Sequence, residues 1–232
     1  MKALTFQLCG PLSSFGECSR WDHRDTADMP TKSAVIGLLG CCMGIPRGDG
    51  RLCELDDALC MGIRRESCGN ILTDFQTVTG PNGVILNAKG KNRGSTIITP
   101  KQYLQDAVFQ VFLTGSEDVL ERCAEAMRHP QWVICLGRRG LVPSRPVIPH
   151  IIEAESLEDA VRNWQEPGTP KDKAEDAKER VMRCEVEVAG LFEPNAAYTV
   201  IKRNDRILNA DVNNYAEREV CVFTVRRDAV CT

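Results

Sequence analysis

No run of apolar residues in this chain approaches the roughly 20 that a membrane-spanning helix requires, which argues against an integral membrane protein. Histidine is scarce: His23, His129 and His150 stand far apart. None of the twelve cysteines pairs with another at the C-x(2 to 4)-C spacing of a zinc site. A structural metal is therefore not expected, and no residue set calls for a cofactor. Most cysteines lie in apolar runs such as "WVICLG" and "REVCVFTV", where a reduced thiol behaves as a small hydrophobe, so they are expected to pack in the core. The opening "MKALTFQLCG" has a single lysine and alternating Thr5 and Gln7, the pattern of a strand rather than a signal peptide. A cytoplasmic protein is expected.

Glycine is also missing where one function would need it. "MPTKSAVIGLLGCCMGI", Met29 to Ile45, places Lys-Ser ahead of an apolar run as a phosphate loop does. A Walker loop, however, needs glycines to curl its backbone around the phosphates, and Thr26 and Thr31 occupy those positions. What remains is the start of a helix. Thr31 or Ser33 can cap it, Pro30 ends any earlier helix, and Val35, Ile36, Leu38, Leu39, Cys42 and Met43 fill most of its circumference, as in a largely buried helix. Its unpaired N–H groups, with Lys32 and Ser33 beside them, suit a phosphate, and a plain capped core helix fits the same residues.

Basic residues are not in excess. The formal charge is −3 and the pI about 5.7, which by itself argues against a nucleic-acid partner. The charge is nevertheless segregated. Phe75 to Gln105 contains no acid but Lys89, Lys91, Arg93 and Lys101, and Ala126 to Ile152 contains none but Arg128, Arg138, Arg139 and Arg145. These two islands carry +8, leaving −11 for the remainder of the chain. A basic surface on an acidic body is the footprint of a protein that binds phosphates on one face and protein partners elsewhere.

In chain order, Leu4, Phe6 and Leu8 alternate with polar neighbours to give a strand, followed by the turn region "GPLSSFG" and the helix above, which Gly44 and Pro46 end. A second strand is expected around Leu59 to Arg64. Cys68 to Pro100, rich in Gly, Asn and Thr, reads as a long hairpin or extruded arm, and "DAVFQVFL" returns to strand. "SEDVLERCAEAMRHP" is a helix with Ser116 as cap and Pro130 beyond its end, and "WVICL" is expected as the next strand. The order strand, helix, strand, arm, strand, helix, strand is that of an α+β, ferredoxin-like domain, the plan of many RNA-binding modules. The expected division is a ferredoxin-like domain over 1–150, with the arm inserted at about 68–104, and a part over 151–232. The latter comprises a helix around Leu157 to Trp164, the mobile charged linker "QEPGTPKDKAEDAKER", and β-rich segments including a hairpin turning at Asn204-Asp205.

"GPLSSFG", "PTKSAVIGLLGCCMGI", "DFQTV", "YLQDAVFQVFL", "LGRRGLVPSRP" and "NYAEREV", in this order along nearly the whole chain, resemble the CasD family, the fifth Cas protein of type I-E CRISPR interference complexes. The resemblance implies a ferredoxin-like body of the RAMP superfamily whose thumb-like arm grips the 5′ handle of the crRNA at the end of a Cascade complex. It implies the Cascade backbone subunit and the Cascade large subunit as neighbours, target DNA met only through the complex, and no cutting of RNA. Relatives in the type I-C group do cleave the repeat, with a Tyr, Lys and His set. One departure is Asp74-Phe75-Gln76-Thr77, where the family usually has tyrosine and histidine.

Gripping single-stranded RNA takes cations, N–H donors and flat surfaces for bases. Arg138 and Arg139 lead the candidates because Gly137 and Gly140 permit close backbone approach. Lys89, Lys91 and Arg93 supply cations on the arm, and Lys32 and Ser33 now suit an RNA backbone rather than ATP. Ser13, Ser14 and Phe15 are expected along the handle's path, Arg20 and Arg24 beside them as RNA contacts, and Trp21 as a contact to a neighbouring subunit. Phe75 is expected at the base of the arm, against the RNA or the domain. Two alternatives stand. A metal-independent endoribonuclease would use a set such as His23, Lys32 and Tyr103, and a purely structural bridge would leave the acid-free islands without a purpose.

Overall fold

The computed structural model describes residues 1–17, 23–86, 89–92, 94, 96–165, 167, 180–188, 198–211 and 214–227. Its elements in chain order are β1 (Lys2–Cys9), β2 (Leu12–Ser13), α1 (Lys32–Met43), α2 (Arg51–Ala58), β3 (Cys60–Ser67), β4 (Asn70–Thr79), β5 (Thr96–Gln105), β6 (Val108–Thr114), α3 (Glu117–Arg128), β7 (His150–Glu153), α4 (Leu157–Asn163), β8 (Arg180–Glu187), β9 (Thr199–Asn209) and β10 (Asn214–Arg227). The strands form a seven-stranded sheet in the order β7-β1-β6-β3-β8-β10-β9, every neighbouring pair antiparallel. The first four positions reproduce the ferredoxin-like order, with β7 as fourth strand beside β1. The C-terminal strands then lengthen the same sheet through β8 on β3.

Alternation along the strands sorts the apolar residues onto two faces. Leu4, Phe6 and Leu8 of β1, with Phe109, Val111 and Leu113 of β6, meet the buried sides of α1, α2 and α3. Ala3 and Phe112 point the other way, to α4. Gly62 of β3 makes that second contact close, since a Cβ there would lie 2.7 Å from the Val161 side chain. The described cysteines are all free thiols, and burial pushes Cys42 up to about 12 and Cys123 up to about 11, as expected of uncharged core residues. No helix among the described residues is long and apolar enough to cross a membrane.

The structure departs from the sequence pattern at several points. "WVICL" is not a strand. Trp132 and Val133 are exposed, and the segment bonds to α1 (Gln131 N–H to Cys42 O, 3.0 Å) and to its own return (Leu136 N–H to Leu141 O, 2.7 Å), because Gly137 and Gly140 at φ of +91° and +92° curl it into a turn. The fourth strand is instead supplied by His150–Glu153. The hairpin does not turn at Asn204-Asp205 either: β9 runs unbroken through both, and Asp205 is buried. Helix α2 was not anticipated, because three carboxylates among its eight residues mask the buried Leu52 and Leu55. The arm is formed by β4 and β5, ten residues each and in full register from Asn70↔Gln105 to Thr79↔Thr96, with β2 on the other edge of β5. The stretch read as a charged linker lies almost wholly outside the described residues.

A buried set of charges joins the two halves of the sheet. Asp205 of β9 accepts both a forked pair of bonds from Arg218 of β10 (2.9 and 2.8 Å) and the main-chain N–H of Lys32 at the start of α1 (2.7 Å). The Lys32 ammonium lies 3.1 Å from Glu187 of β8 and 3.6 Å from Asp56 of α2, and Glu187 also accepts from Met61 N–H of β3 at 3.0 Å. Burial pushes the Asp56 carboxyl up to about 6 against the pull of Lys32. Breaking a buried pair on one side leaves a charge uncompensated, so Asp205→Ala should cost about 3–5 kcal/mol and lower Tm by on the order of 10 °C. Asp56 acts with the opposite sign. Its folded-state pKa exceeds the ordinary value of about 3.9, so the folded protein holds an extra proton between about pH 4 and 6 and loses stability as pH rises through that window. Asp56→Asn should remove that loss, on the order of 2–3 kcal/mol, and be no less stable than the native chain at pH 8. Urea unfolding of both variants at pH 4.5 and 8 checks this, and an unaltered pH profile in Asp56→Asn would contradict it.

Candidate nucleic-acid interface

The start of α1 does bind an anion, but the anion is the chain's own Asp205. Thr31 caps the helix by accepting from Ala34 N–H, and Lys32 is only 3 % exposed. Lys32 is therefore not available to a phosphate. Its ammonium is needed to neutralise Asp56 and Glu187 inside the protein.

The outer side of α1 does something else. Ser33, Gly37 and Cys41 lie one turn apart, and together with Ala34 and Leu38 they floor an open groove of about 770 Å³. One wall is built from the loop after β2 and from the turn around Gly137. The other is built from β9 and β10 with Ile207, Asn209, Ala210 and Tyr215. The first wall is tightly assembled: Ser14 N–H donates to Leu136 O (3.1 Å), Ser14 Oγ donates to Gln102 O (3.1 Å), and Phe15 meets Phe109 edge-on at 5.9 Å. At 137 only glycine fits, because a Cβ would stand 1.8 Å from Ser14 O. Arg24, Arg47, Lys101, Arg138 and Arg139 line the groove, and among the described residues no carboxylate does. Burial also raises the Cys41 thiol, so the floor adds no negative charge. A trough to which the described residues contribute five cations and no carboxylate, on a chain of net charge −3, is suited to a polyanion.

The structure brings Ser14, Phe15, Arg24, Ser33, Arg138 and Arg139 together in this groove. Ser14 and Phe15 are buried as whole residues, with the Ser14 N–H committed to Leu136 O and the Phe15 N–H to Thr26 Oγ1, so they build the wall rather than contact a ligand, while Ser13 is buried and does not line the groove. Lys89 and Lys91 are exposed in the turn region of the arm, outside the groove. Arg20, Trp21 and Arg93 lie outside the described residues. Phe75 does not pack on the domain but is 66 % exposed on one face of the arm, with Ile71 and Ile98. Lys101 and Arg47 were missed as site residues. Lys101 belonged to a recognised basic island, and its facing Asp74 across the β-ladder gave no hint of the groove. Arg47 sits behind the helix-ending Gly44 and Pro46, where only the fold brings it near Tyr215.

The postulated nuclease set is not assembled. His23 is exposed on the loop beside Arg24 and Tyr103 lies beneath Arg138, whereas Lys32 is enclosed in the core. Among the described residues no group of three or more His, Cys, Asp or Glu side chains is placed to hold a metal ion.

Residues 3–220 match the family described as CRISPR-associated protein (Cas_Cas5). The chain is 30 % identical over 177 residues to the CRISPR system Cascade subunit CasD of Escherichia coli K12, an overlap that covers 71 % of this chain and 78 % of that protein. Among solved structures, a chain of a CRISPR RNA-guided surveillance complex superposes with a TM-score of 0.76 at 28 % identity, over 98 % of this chain and 91 % of its own. A crystal structure of a Cas protein superposes at 0.58 and 24 % identity, covering 98 % and 94 %, a likeness of fold. With the ferredoxin-like sheet, the projecting arm and the basic groove already in place, these matches show that the chain belongs to the Cas5 family of CRISPR-associated proteins, the CasD type included.

Proposed function

We propose that this protein is a non-catalytic subunit of a type I-E Cascade complex and that its groove grips the sugar-phosphate backbone of the crRNA 5′ handle. The observation that carries the proposal is the groove to which the described residues bring five cations and no carboxylate, on an otherwise acidic chain. Arg24, Lys101 and Arg139 supply charge along it, and Ser33 on the floor supplies a hydroxyl. Trp132 and Tyr215, partly exposed at its margin, offer faces on which splayed bases stack. The arm, with Lys89 and Lys91 in its turn region and an apolar face at Ile71, Phe75 and Ile98, extends this surface. The Cascade backbone and large subunits are the proposed protein neighbours, and the similarity to CasD supports that assignment. The absence of RNA cutting in this reading is supported by the enclosure of Lys32 away from His23 and Tyr103.

The test of the whole reading is to incubate the full chain, without added metal, with repeat RNA labelled at its 5′ end and to run native and denaturing gels in parallel. Shifted but intact RNA is expected. A discrete shorter product abolished by changing His23 would assign the protein to repeat processing instead. Each phosphate neutralised should contribute about −0.7 to the slope of log affinity against log salt, so Arg139→Ala and Lys101→Ala should each flatten it by about that amount.

Gly37 provides a second, independent check. A Cβ there would meet nothing within 4 Å, so Gly37→Ala should stabilise the helix by roughly 0.5–1 kcal/mol. Gly37→Glu sets a carboxylate on the groove floor, and should bind the same RNA roughly tenfold more weakly than the equally bulky Gly37→Gln at low salt. Equal affinities for the two variants would remove the floor of α1 from the RNA path.

A further inference from the structure

The two arginines at 138 and 139 are adjacent in sequence but differ in environment. Arg139 is exposed, whereas Arg138 is half-buried and its polar atoms are turned toward the protein. The Arg138 guanidinium carbon lies 5.0 Å from the centre of the Tyr103 ring. Its Nη2 donates to Arg24 O at 3.0 Å and to Asp25 O at 2.9 Å, and its Nη1 is shielded from water with no hydrogen-bond partner among the described residues. A phosphate arriving from the groove would meet a side chain whose Nη2 is already shared by two carbonyls and whose Nη1 is shielded.

Those carbonyls belong to a loop that meets the arm midway along β5. Arg24 N–H donates to Pro100 O (3.1 Å) and Arg24 O accepts from Gln102 N–H (2.7 Å), so the loop touches β5 through one short parallel bridge. Farther along, Asp28 is paired with Arg65, Arg183 and Arg203, and Glu17 on the near side is paired with Arg203. Both flanks of the loop are thus fixed by ion pairs. Thr26 and Ala27 are bonded to the main chain of Phe15, and at the exposed Arg24, which lines the groove, the described main-chain contacts are the bridge to β5 and the bond from Arg138.

We propose that Arg138 is a positioning residue: stacked on Tyr103 and bonded to the carbonyls of Arg24 and Asp25, it latches the 23–25 loop to the arm so that Arg24 is held over the groove, leaving Arg139 as the phosphate contact of the pair. Arginine is suited to this and lysine is not. A planar guanidinium can lie on a ring while its edge donates to two acceptors, whereas an ammonium keeps the charge and loses that geometry. The assignment of the Arg24 effect to RNA rests on the groove being the RNA site. The latch itself does not.

The experiment has two arms on the full chain. In the protein without RNA, amide hydrogen exchange at Arg24 and Gln102 should accelerate at least tenfold in Arg138→Ala, in Arg138→Lys and in Tyr103→Ala, and remain unchanged in Arg139→Ala. Unaltered exchange in Arg138→Lys would overturn the latch whether or not RNA binds. In titrations with the labelled repeat RNA, Arg24→Ala should lower affinity several-fold in the native background and by less than twofold when Arg138 is already alanine. Arg139→Ala should have the same effect in both backgrounds. Full additivity of the Arg24 and Arg138 changes, with Arg138→Lys retaining native affinity, would make Arg138 a direct phosphate contact and refute the proposal. Should the native chain fail to shift the RNA, the groove reading fails, and the exchange measurement still decides the latch.

Discussion

The arrangement of the molecule depends on one carboxylate, Asp205. It accepts the N–H of Lys32 at the first turn of α1 while holding both forked donors of Arg218. Through Lys32 the same set reaches Glu187 and Asp56, and through Glu187 the main chain of β3. Such a cluster is a poor source of net stability, because desolvation offsets most of the attraction. It is, however, demanding about geometry: a buried charge tolerates only the placement in which its partner is present. That requirement fixes β9 and β10 against the start of α1, and so sets the two walls of the groove at a defined separation.

The same economy of charge explains how an acidic chain presents a basic groove. Counting cations along the sequence does not identify those available to a ligand, because many are already committed. Arg65, Arg183 and Arg203 surround Asp28, Glu185 and Glu17, and Arg206 takes Asp57. These pairs lie on β3, β8, β9 and α2 or on the loop ends, away from the floor of α1. Pairing draws those carboxylates away from the groove, where none of the described lining residues is acidic. Net charge reports the sum, but a polyanion responds to the local remainder.

Much of the scaffold was legible because it rests on local signals. The period of α1, its Thr31 cap and its Gly44 ending are sequence-local, as is the alternation in β1. The arm could be read from its Gly and Asn content and its lack of a hydrophobic period. The errors arose where distant residues decide. "WVICL" has strand composition, but the positive φ of Gly137 and the close approach of Ser14 O bend the chain away from a ladder. Asn204-Asp205 has turn composition, yet the partner that keeps Asp205 in a strand, Arg218, is thirteen residues later. For the site, residue type was readable and availability was not. Lys32 and Arg139 look alike in sequence, and one is enclosed with two carboxylates while the other faces the groove.

Helix α1 shows how the two requirements are reconciled. A helix that carries Ser33, Ala34, Gly37 and Cys41 along one side gives up propensity at Gly37, by roughly 1 kcal/mol relative to alanine, and packs little on that side. Such a stretch would fray if packing on a single stripe were all that held it. Here the N-terminus is tied down by Asp205 and by the Thr31 cap, and the opposite side is covered by the core residues Val35, Ile36, Leu39 and Cys42. With its position determined at one end and along its back, the helix can keep small side chains on its outer side, which leaves depth for the backbone of a ligand. The anion site anticipated from the sequence at the tip of α1 is thus occupied from within, and that occupation is what frees the flank of the same helix to serve as the floor of the groove.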